Sequence, residues 1–360
     1  MKFSGRWYVA LLAAVSVFLI IACGGSSPSS ASSPGQLATV NTNYLPVLPV
    51  APIFIAEDKG FFKKHGIVNN YTTVDIYATL AVQSQGGVDV DIPGAGAALF
   101  NAINQGLHLK VVASRQQYNC TSDNLFVVRT DLWNKGIRSM GDLKGKKIAI
   151  LSRGSTTEYW MDLLLEKAGM TEKDLTIVTL SYPDTVTALK TGAVDAAFLI
   201  EPLAYQDLLT GNVKRIISMG QVAPNMEQGQ ITMSDQFIQK DGGKTAANWM
   251  AAWLEAVRYY QDPKNKQDVI NIIAKWTKVP TETVAGLYGT DQWPYMNPNG
   301  QLNVKDIDQN TGPWLIQHKY IDHMPASKTY YDQSVIQKAL KEVGTVSANR
   351  DCSNVPPLQG

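Results

Sequence analysis

The chain has 360 residues, of which 45% are hydrophobic, and its 32 basic and 31 acidic residues leave a net charge of +1. This balance excludes an electrostatic surface for nucleic acid or for an anionic membrane face. About 325 residues remain after the N-terminal leader described next, which is too many for one hydrophobic core and sufficient for two.

The first segment has the pattern of an export signal. Basic residues precede an apolar run at 7–21, which is shorter than the roughly 20 residues that a membrane-spanning helix needs. The run ends in LIIAC, which resembles the lipobox of bacterial lipoproteins and places its cysteine at Cys23. We therefore expect a signal peptide at 1–22, lipidation of Cys23 and a flexible Gly/Ser/Pro tether at 23–36. An ordinary secretory peptide with a coincidental cysteine is the alternative.

Downstream, short β-rich runs alternate with helical patterns, which predicts α/β layers. The predicted strands are 37–43, 67–74, 88–92, 110–114, 125–129, 147–151, 175–180 and 196–200. A helix is predicted from Pro52 to a glycine cap at Gly60, another at 156–169, and almost only helix beyond residue 244. Trp249 and Trp253 lie four residues apart, which predicts a packed helix face and not a ligand contact.

One pattern occurs twice in the chain. Residues 80–92 read LAVQSQGGVDVDI and residues 187–199 read TALKTGAVDAAFL, each a helix, a glycine turn, Val-Asp and an apolar strand. We interpret the pair as two similar α/β lobes, with chance similarity as the alternative. Ligands of open α/β sheets bind beyond the carboxyl ends of strands, so 93–97 and 201–202 are candidate site loops. The first loop lacks the third glycine and the ribose-binding acid of a dinucleotide site.

Cys120 and Cys352 are the two cysteines besides Cys23. An even pair in an exported protein indicates a disulfide, and we expect this one to tie the C-terminal tail to the body. Two unrelated buried thiols are the alternative.

Four blocks of sequence carry a family resemblance. They are YLPVLPVAPIFIAEDKGFFKKHGI (44–67), GGVDVDIPGAGAALFNAINQG (86–106), LKGKKIAILSRGSTTEYWMDLLLEKAGM (143–170) and LKTGAVDAAFLIEP (189–202). In this order, over residues 37–235, they resemble the solute-binding proteins of ABC importers for nitrate, sulfonates and thiamine-pyrimidine precursors.

The resemblance implies an α/β, two-lobed, periplasmic-binding-protein-like fold of type II. Each lobe would be a sheet flanked by helices, with a helical C-terminal part, and crossing strands would let the lobes close on a small molecule. On that basis 37–124 with 231–342 forms lobe 1, 128–219 forms lobe 2 and 343–360 is a tail. Hinges are expected near 125–127 and 229–231.

The function that the resemblance implies is capture of a solute and not chemistry. A monomer, held at the extracytoplasmic face of the cell membrane by its lipid anchor, would deliver a small molecule to an ABC permease and, through it, a cytoplasmic ATPase. We expect no enzyme activity, cofactor, metal or nucleic-acid partner, because the chain lacks a G-x-x-x-x-G-K-[ST] loop and metal-ligand spacing among its histidines. The cysteine cluster of a related thiamine-pyrimidine synthase is also absent. Presenting a ligand to a membrane sensor is the non-transport alternative.

The predicted ligand contacts lie in loops that would face the opposite lobe. They are Tyr44, Gly96, Tyr118, Asn119, Ser155, Thr156, Tyr182, Asp184 and Glu201. Ser155 and Thr156 begin a predicted helix, where hydroxyls and free N–H groups converge, although plain helix capping would explain them equally. The two leading tyrosines could instead be lobe-surface aromatics, and Glu201 could hold the hinge.

The aromatic residues of these segments favour a flat solute. They are Tyr44, Tyr77, Tyr118, Tyr159, Trp160, Tyr182 and Tyr205, which could stack on a ring. Side-chain oxygens at Asn119, Asp184 and Glu201 suit ring N–H groups or hydroxyls. We therefore predict an uncharged heteroaromatic vitamin or precursor; the family resemblance puts riboflavin first and a formylaminopyrimidine or hydroxymethylpyrimidine next. Arg115 and Arg153 keep a nitrate, taurine or sulfonate anion open.

Overall fold

The computed structural model describes residues 37–74, 78–94 and 96–348. Within them the strands form two five-stranded sheets. The strands are β1 Ala38–Asn43, β2 Ile67–Thr72, β3 Val90–Asp91, β4 Leu109–Gln117, β5 Asn124–Arg129, β6 Lys147–Ile150, β7 Thr176–Thr179, β8 Ala196–Ile200, β9 Val213–Ser218 and β10 Glu227–Ser234. The last two of these were not predicted from the sequence.

Each sheet contains one strand that runs against the others. The first sheet has the order β2-β1-β3-β10-β4, with β1 parallel to β2 and β3, and β10 antiparallel to β3 and β4. The second has the order β7-β6-β8-β5-β9, with β6 parallel to β7 and β8, and β5 antiparallel to β8 and β9. We call the parts built on these sheets lobe 1 and lobe 2; the α/β two-lobed fold is as predicted.

The helices pack around both sheets. In chain order they are α1 Ala51–Asp58, α2 Phe61–Lys64, α3 Leu80–Ser84, α4 Ala97–Asn104, α5 Thr130–Asn134, α6 Thr156–Lys167, α7 Tyr182–Thr191, α8 Leu203–Leu209, α9 Met219–Val222, α10 Asp235–Gln239, α11 Lys244–Gln261, α12 Lys266–Thr277, α13 Thr281–Leu287, α14 Val304–Asp306, α15 Gly312–Gln317, α16 Ser327–Tyr330 and α17 Ser334–Val343. A π-helical turn, Ile307–Thr311, joins α14 to α15. Gly60, predicted as a helix cap, has φ +72° and lies between α1 and α2, a left-handed conformation that glycine adopts without strain.

The chain passes between the sheets twice, over 118–123 and over 219–226, the second passage including α9. Each passage leads into the antiparallel strand of the sheet it enters, β5 in the first case and β10 in the second. The predicted hinges at 125–127 and 229–231 fall inside these two strands. Hydrophobic alternation alone does not separate a crossing segment from the strand that follows it. The lobe limits themselves stay a prediction.

Hydrophobic side chains form three buried clusters. One belongs to lobe 1 and includes Trp249 and Trp253, whose rings stack at 6.0 Å, as expected for a packed helix face. A second is shared by the two sheets, since it joins Val111 of β4 to Phe126 of β5 and continues to Trp160 of α6. The third fills the other face of the second sheet. The shared cluster therefore packs between the two sheets and holds their facing edges together.

In the described part of the chain no helix has the length and apolar character needed to cross a membrane. The predicted signal peptide and tether, with Cys23, lie outside the described residues, as do Tyr77, Ala95 of the 93–97 loop, and Cys352 with most of the predicted tail.

Candidate ligand-binding cleft

The two lobes touch each other across their facing edges. The carboxyl ends of parallel strands and the first residues of the antiparallel strand meet at one edge of each sheet: β4 ends beside the start of β10, and β8 and β9 end beside the start of β5. Two backbone hydrogen bonds span the gap: Ala97 N–H donates to Gly154 O at 2.9 Å, and Leu48 N–H donates to Glu201 O at 3.0 Å. The structure therefore shows the cleft closed.

A buried polar network lies where the first crossing segment enters lobe 2. Asp123 is its centre: Oδ1 accepts hydrogen bonds from Gln116 Nε2 and from Asn124 Nδ2, the latter at 2.9 Å. The backbone oxygen of Asp123 accepts from Glu201 N–H at 2.8 Å. All four side chains are fully buried. The network thus links the end of β4, the start of β5 and the end of β8.

Four atoms of this network, and the Tyr118 hydroxyl beside it, have no hydrogen-bond partner within the described residues. They are Gln116 Oε1, Tyr118 Oη, Asp123 Oδ2, Asn124 Oδ1 and Glu201 Oε1. A buried polar group without a partner costs about 1 to 3 kcal/mol, and such groups in native proteins usually meet water or a ligand. Four such oxygens in one connected network, with the Tyr118 hydroxyl beside them at the closed interlobe edge, define the candidate binding site.

Burial controls the ionisation of the acids in the network. It raises the pKa of Asp123, an effect that the positive charge of Arg115 opposes. Burial also raises the pKa of Glu201 well above its ordinary value, with the Tyr205 N–H bond to Oε2 opposing it and the charge of Asp123 adding to it. The pKa of the Tyr118 hydroxyl is likewise well raised by burial. These groups are therefore more easily kept neutral than exposed acids.

One wall of the site is aromatic. The ring of Tyr118 stacks on Trp160 of α6 with centroids 5.8 Å apart and an interplanar angle of 25°, and Trp160 lies 6.1 Å from Phe198 of β8. Tyr118 therefore packs its ring on Trp160 and buries its hydroxyl, and its role as a ligand contact stays a prediction.

Tyr44 lies elsewhere. Its ring makes edge contacts with Phe54, Tyr71 and Trp276 at 5.8, 5.5 and 6.4 Å inside lobe 1. Tyr44 and Tyr118 belong to different hydrophobic clusters, so the structure does not bring these two rings together.

The helix-start residues Gly96, Ser155 and Thr156 lie at the lobe contact. Gly96 immediately precedes α4, and Ser155 precedes α6, at whose first position Thr156 lies. The Ser155 hydroxyl donates to Ser152 O at 2.6 Å, inside its own loop. Its bonding is therefore local, but its side chain does not bond to the free helix N–H groups, so the structure does not show the capping alternative for Ser155.

The remaining predicted contacts differ in burial. Tyr182 is buried at the first position of α7, and its ring is close enough to Tyr118 to act on the pKa of that hydroxyl. Asp184 is exposed, and its Oδ2 accepts from the Ser181 hydroxyl at 2.6 Å, which makes it part of the N-terminal cap of α7. Asn119 is half-buried at the start of the crossing segment. Glu201 is fully buried inside the network.

Sequence reasoning missed Gln116, Asp123 and Asn124. A signal was present: Asp123 and Asn124 are polar residues set directly before the apolar run Leu125 to Val128, at a strand start that faces the other sheet. The prediction considered only strand carboxyl ends and so passed over the amino end of an antiparallel strand.

Two further points concern the other predicted sites. Cys120 is disulfide-bonded, but Cys352 lies outside the described residues, so the pairing of these two stays a prediction. In the described part of the chain, no three His, Cys, Asp or Glu side chains are grouped to hold a metal ion.

Two α/β lobes that close over a buried polar site define a periplasmic-binding-protein-like protein. Residues 49–266 match the model of the family described as NMT1/THI5 like. The chain belongs to this family, as the resemblance predicted.

Relatives with known names agree with this class. A Brucella abortus protein named only as a binding protein is 27% identical over 231 residues, which cover 62% of this chain and 67% of the relative. The nitrate/nitrite binding protein NrtA of Synechocystis is 22% identical over 79% of this chain and 67% of its own length. The riboflavin-binding protein RibY of Chloroflexus aurantiacus is 26% identical over 189 residues, 48% of this chain and 52% of RibY.

Solved structures agree in fold. The periplasmic nitrate-binding protein NrtA of Synechocystis superposes with a TM-score of 0.72 at 18% identity, over 86% of this chain and 90% of that one. The desulfurization enzyme DszB superposes with a TM-score of 0.63 at 17% identity, over 84% of this chain and 99% of that one. The fold is thus used both for binding and for catalysis, so function has to be argued from the site.

Proposed function

We propose that this protein is the solute-binding component of an ABC import system. The observation that carries the proposal is the connected set of buried, unpartnered polar atoms around Asp123 at the closed edge between the lobes, since a captured solute would supply their missing partners. Names of relatives such as NrtA support the class. Its partners would be a membrane permease and, through it, a cytoplasmic ATPase.

Capture, and not catalysis, is the role that these residues favour. The buried acids Asp123 and Glu201 are bonded into the protein by one oxygen each, which holds them in place. We propose that the protein acts as a monomer on the extracytoplasmic face of the cell membrane, anchored through a lipid on Cys23.

For the solute we propose a flat heteroaromatic vitamin or precursor, with riboflavin first. The stacked pair Tyr118 and Trp160 places aromatic rings beside the site, and RibY is named for riboflavin binding. The second candidate is a nitrate or sulfonate anion, which the name of NrtA favours; a thiamine pyrimidine precursor remains within the first class.

The test is a titration of riboflavin with the full chain, followed by flavin fluorescence. Quenching at submicromolar protein is expected, with weakening by Tyr118→Leu of roughly 2- to 12-fold from lost stacking alone. The matched control Tyr259→Leu changes a half-buried ring of lobe 1 and should leave the affinity unchanged. No response to riboflavin together with binding of nitrate or taurine would refute the heteroaromatic solute and keep the import role.

A further inference from the structure

The polar network of the cleft is rich in acceptors. Gln116 and Asn124 both direct their amide nitrogens at Asp123 Oδ1, which fixes the orientation of both amides and leaves their oxygens, Oε1 and Oδ1, without partners among the described residues. If either amide were turned over, its oxygen and not its nitrogen would face the Asp123 carboxylate, and the hydrogen bond would be lost. The orientation is therefore set by the network and not by an arbitrary choice of rotamer.

The carboxyl groups add two more atoms of the same kind. Asp123 uses Oδ1 for the two amides and Glu201 uses Oε2 for the Tyr205 N–H at 2.9 Å, so Oδ2 and Oε1 are the buried atoms left over. Backbone bonding holds the two residues together, since Glu201 N–H donates to Asp123 O at 2.8 Å. Four unpartnered oxygens and the Tyr118 hydroxyl thus belong to one connected region.

The charges nearby do not favour an anion. Arg115 acts on Asp123, but its guanidinium donates to Gln228 Oε1 and lies so close to Gly229 that any side chain there would collide with it. Arg215 acts on Glu201, but it forms a two-point ion pair with Asp291, in which Nη2 lies 2.5 Å from Oδ2. The pair with Asp291 cancels Arg215, so Asp123, Glu201 and Arg115 leave the region negative when both acids are ionised, neutral when one is, and positive only when both are protonated.

From this geometry we propose that the solute presents to Asp123 and Glu201 a neutral or cationic end built of N–H and O–H donors, and that oxyanions such as nitrate and sulfonates are rejected. The inference rests on the proposed function of the cleft as a solute site, and it names the chemical class that the site selects. An oxyanion would bring acceptors and negative charge to the amide oxygens of Gln116 and Asn124, which can only accept, and to any ionised acid beside them, and it would leave those oxygens unsatisfied. Donor groups would satisfy them and offset the charge.

The experiment is calorimetric titration of the full chain with two sets of probes. The donor probes are riboflavin, 4-amino-5-hydroxymethylpyrimidine and benzamidine, and the oxyanion probes are nitrate, methanesulfonate and ethanesulfonate, which carry no N–H or O–H donor. We expect at least one donor probe to bind with a dissociation constant below 1 mM, as a specific site would require, and the oxyanions to bind at least ten times more weakly.

Variants then test the assigned atoms. Gln116→Met and Asn124→Leu each remove one unpartnered amide oxygen, so each should weaken the donor probe by at least tenfold and leave oxyanion binding no weaker. Gln337→Met and Asn134→Leu make the same chemical changes at exposed positions and should have no effect. Circular dichroism of each variant separates loss of binding from loss of folding.

The outcomes distinguish the two proposals. Tight binding of an oxyanion by the unmodified protein, with weak donor binding, overturns the donor inference while the solute-binding function stands. If no probe of either set binds, both fail. Equal effects of the buried and the exposed substitutions also overturn the inference, because the affinity would then not depend on the buried oxygens.

Discussion

The contact between Gly154 of lobe 2 and Ala97 of lobe 1 allows a direct test of cleft closure. Gly154 has φ +67°, and a Cβ added there would lie 2.7 Å from Ala97 Cβ and 3.3 Å from the Tyr320 ring. A methyl group cannot occupy that position while the lobes keep the 2.9 Å bond from Ala97 N–H to Gly154 O. Gly154→Ala should therefore favour the open protein.

The size of the effect follows from two separate costs. An alanine at positive φ costs about 1 to 2 kcal/mol in the open and closed states alike. The collision with Ala97 costs a further 1 to 3 kcal/mol, typical of an overpacked site, and only in the closed state. Ligand affinity, which depends on closure, should therefore fall by roughly 5- to 150-fold.

Gly169→Ala is a matched control. Gly169 has φ +64° and no atom within 4 Å of an added Cβ, so the variant carries the same backbone strain without the collision. Small-angle scattering should give a larger radius of gyration for Gly154→Ala than for Gly169→Ala, and titration of whichever probe binds should give a weaker affinity. Equal radii and equal affinities in the two variants would refute the closure argument.

Two further predictions concern stability. Burial raises the pKa of Glu227 to about 8, so its neutral form contributes stability that is fully present below its ordinary pKa of 4.5 and is lost as pH rises through 8. Between pH 4.5 and 8, the free energy of unfolding of Glu227→Gln, measured in urea, should rise relative to that of the unmodified protein by up to about 4 kcal/mol. A difference that does not change with pH would contradict the burial effect. Trp249 Nε1 donates to Asn69 Oδ1 at 3.0 Å, whereas Trp253 Nε1 has no partner among the described residues, so Trp249→Phe should cost about 1 kcal/mol more than Trp253→Phe in the same assay. Equal losses would mean that packing alone sets the cost at both positions.

The sequence predicts strands well where an apolar run is short and has turn or polar residues on both sides. The strand at 196–200 was predicted at its observed limits, because an apolar run follows a glycine turn and precedes a polar Glu-Pro. β9 and β10 were missed. β10, with the sequence EQGQITMS, has all of its residues buried although most are polar, since it lies between β3 and β4 and its side chains bond to neighbours such as Gln83 and Asp91. Periodicity cannot identify a strand whose polar residues are buried by the strands on both sides of it.

Some of the predicted site residues lie in the buried region between the lobes, and others do not. Tyr118, Tyr182 and Glu201 lie in the buried region because they occupy the end of a strand or the start of the helix that follows one. Asp184 was predicted for its carboxylate, which in the structure accepts from the Ser181 hydroxyl, while Ser181 caps the helix by accepting from Asp184 N–H. The local sequence Ser-Tyr-Pro-Asp already offered this arrangement.

The topology of the chain explains why the acceptors of the site come from both lobes. Gln116 ends a strand of lobe 1, Asn124 begins a strand of lobe 2, and the short crossing segment between them brings both amides onto Asp123. A site made in this way depends on the crossing segment as much as on either lobe, because a change in lobe angle moves Gln116 relative to Asn124. Lobe closure and the assembly of the acceptor set are therefore one event, so a solute that satisfies the acceptors also favours the closed arrangement.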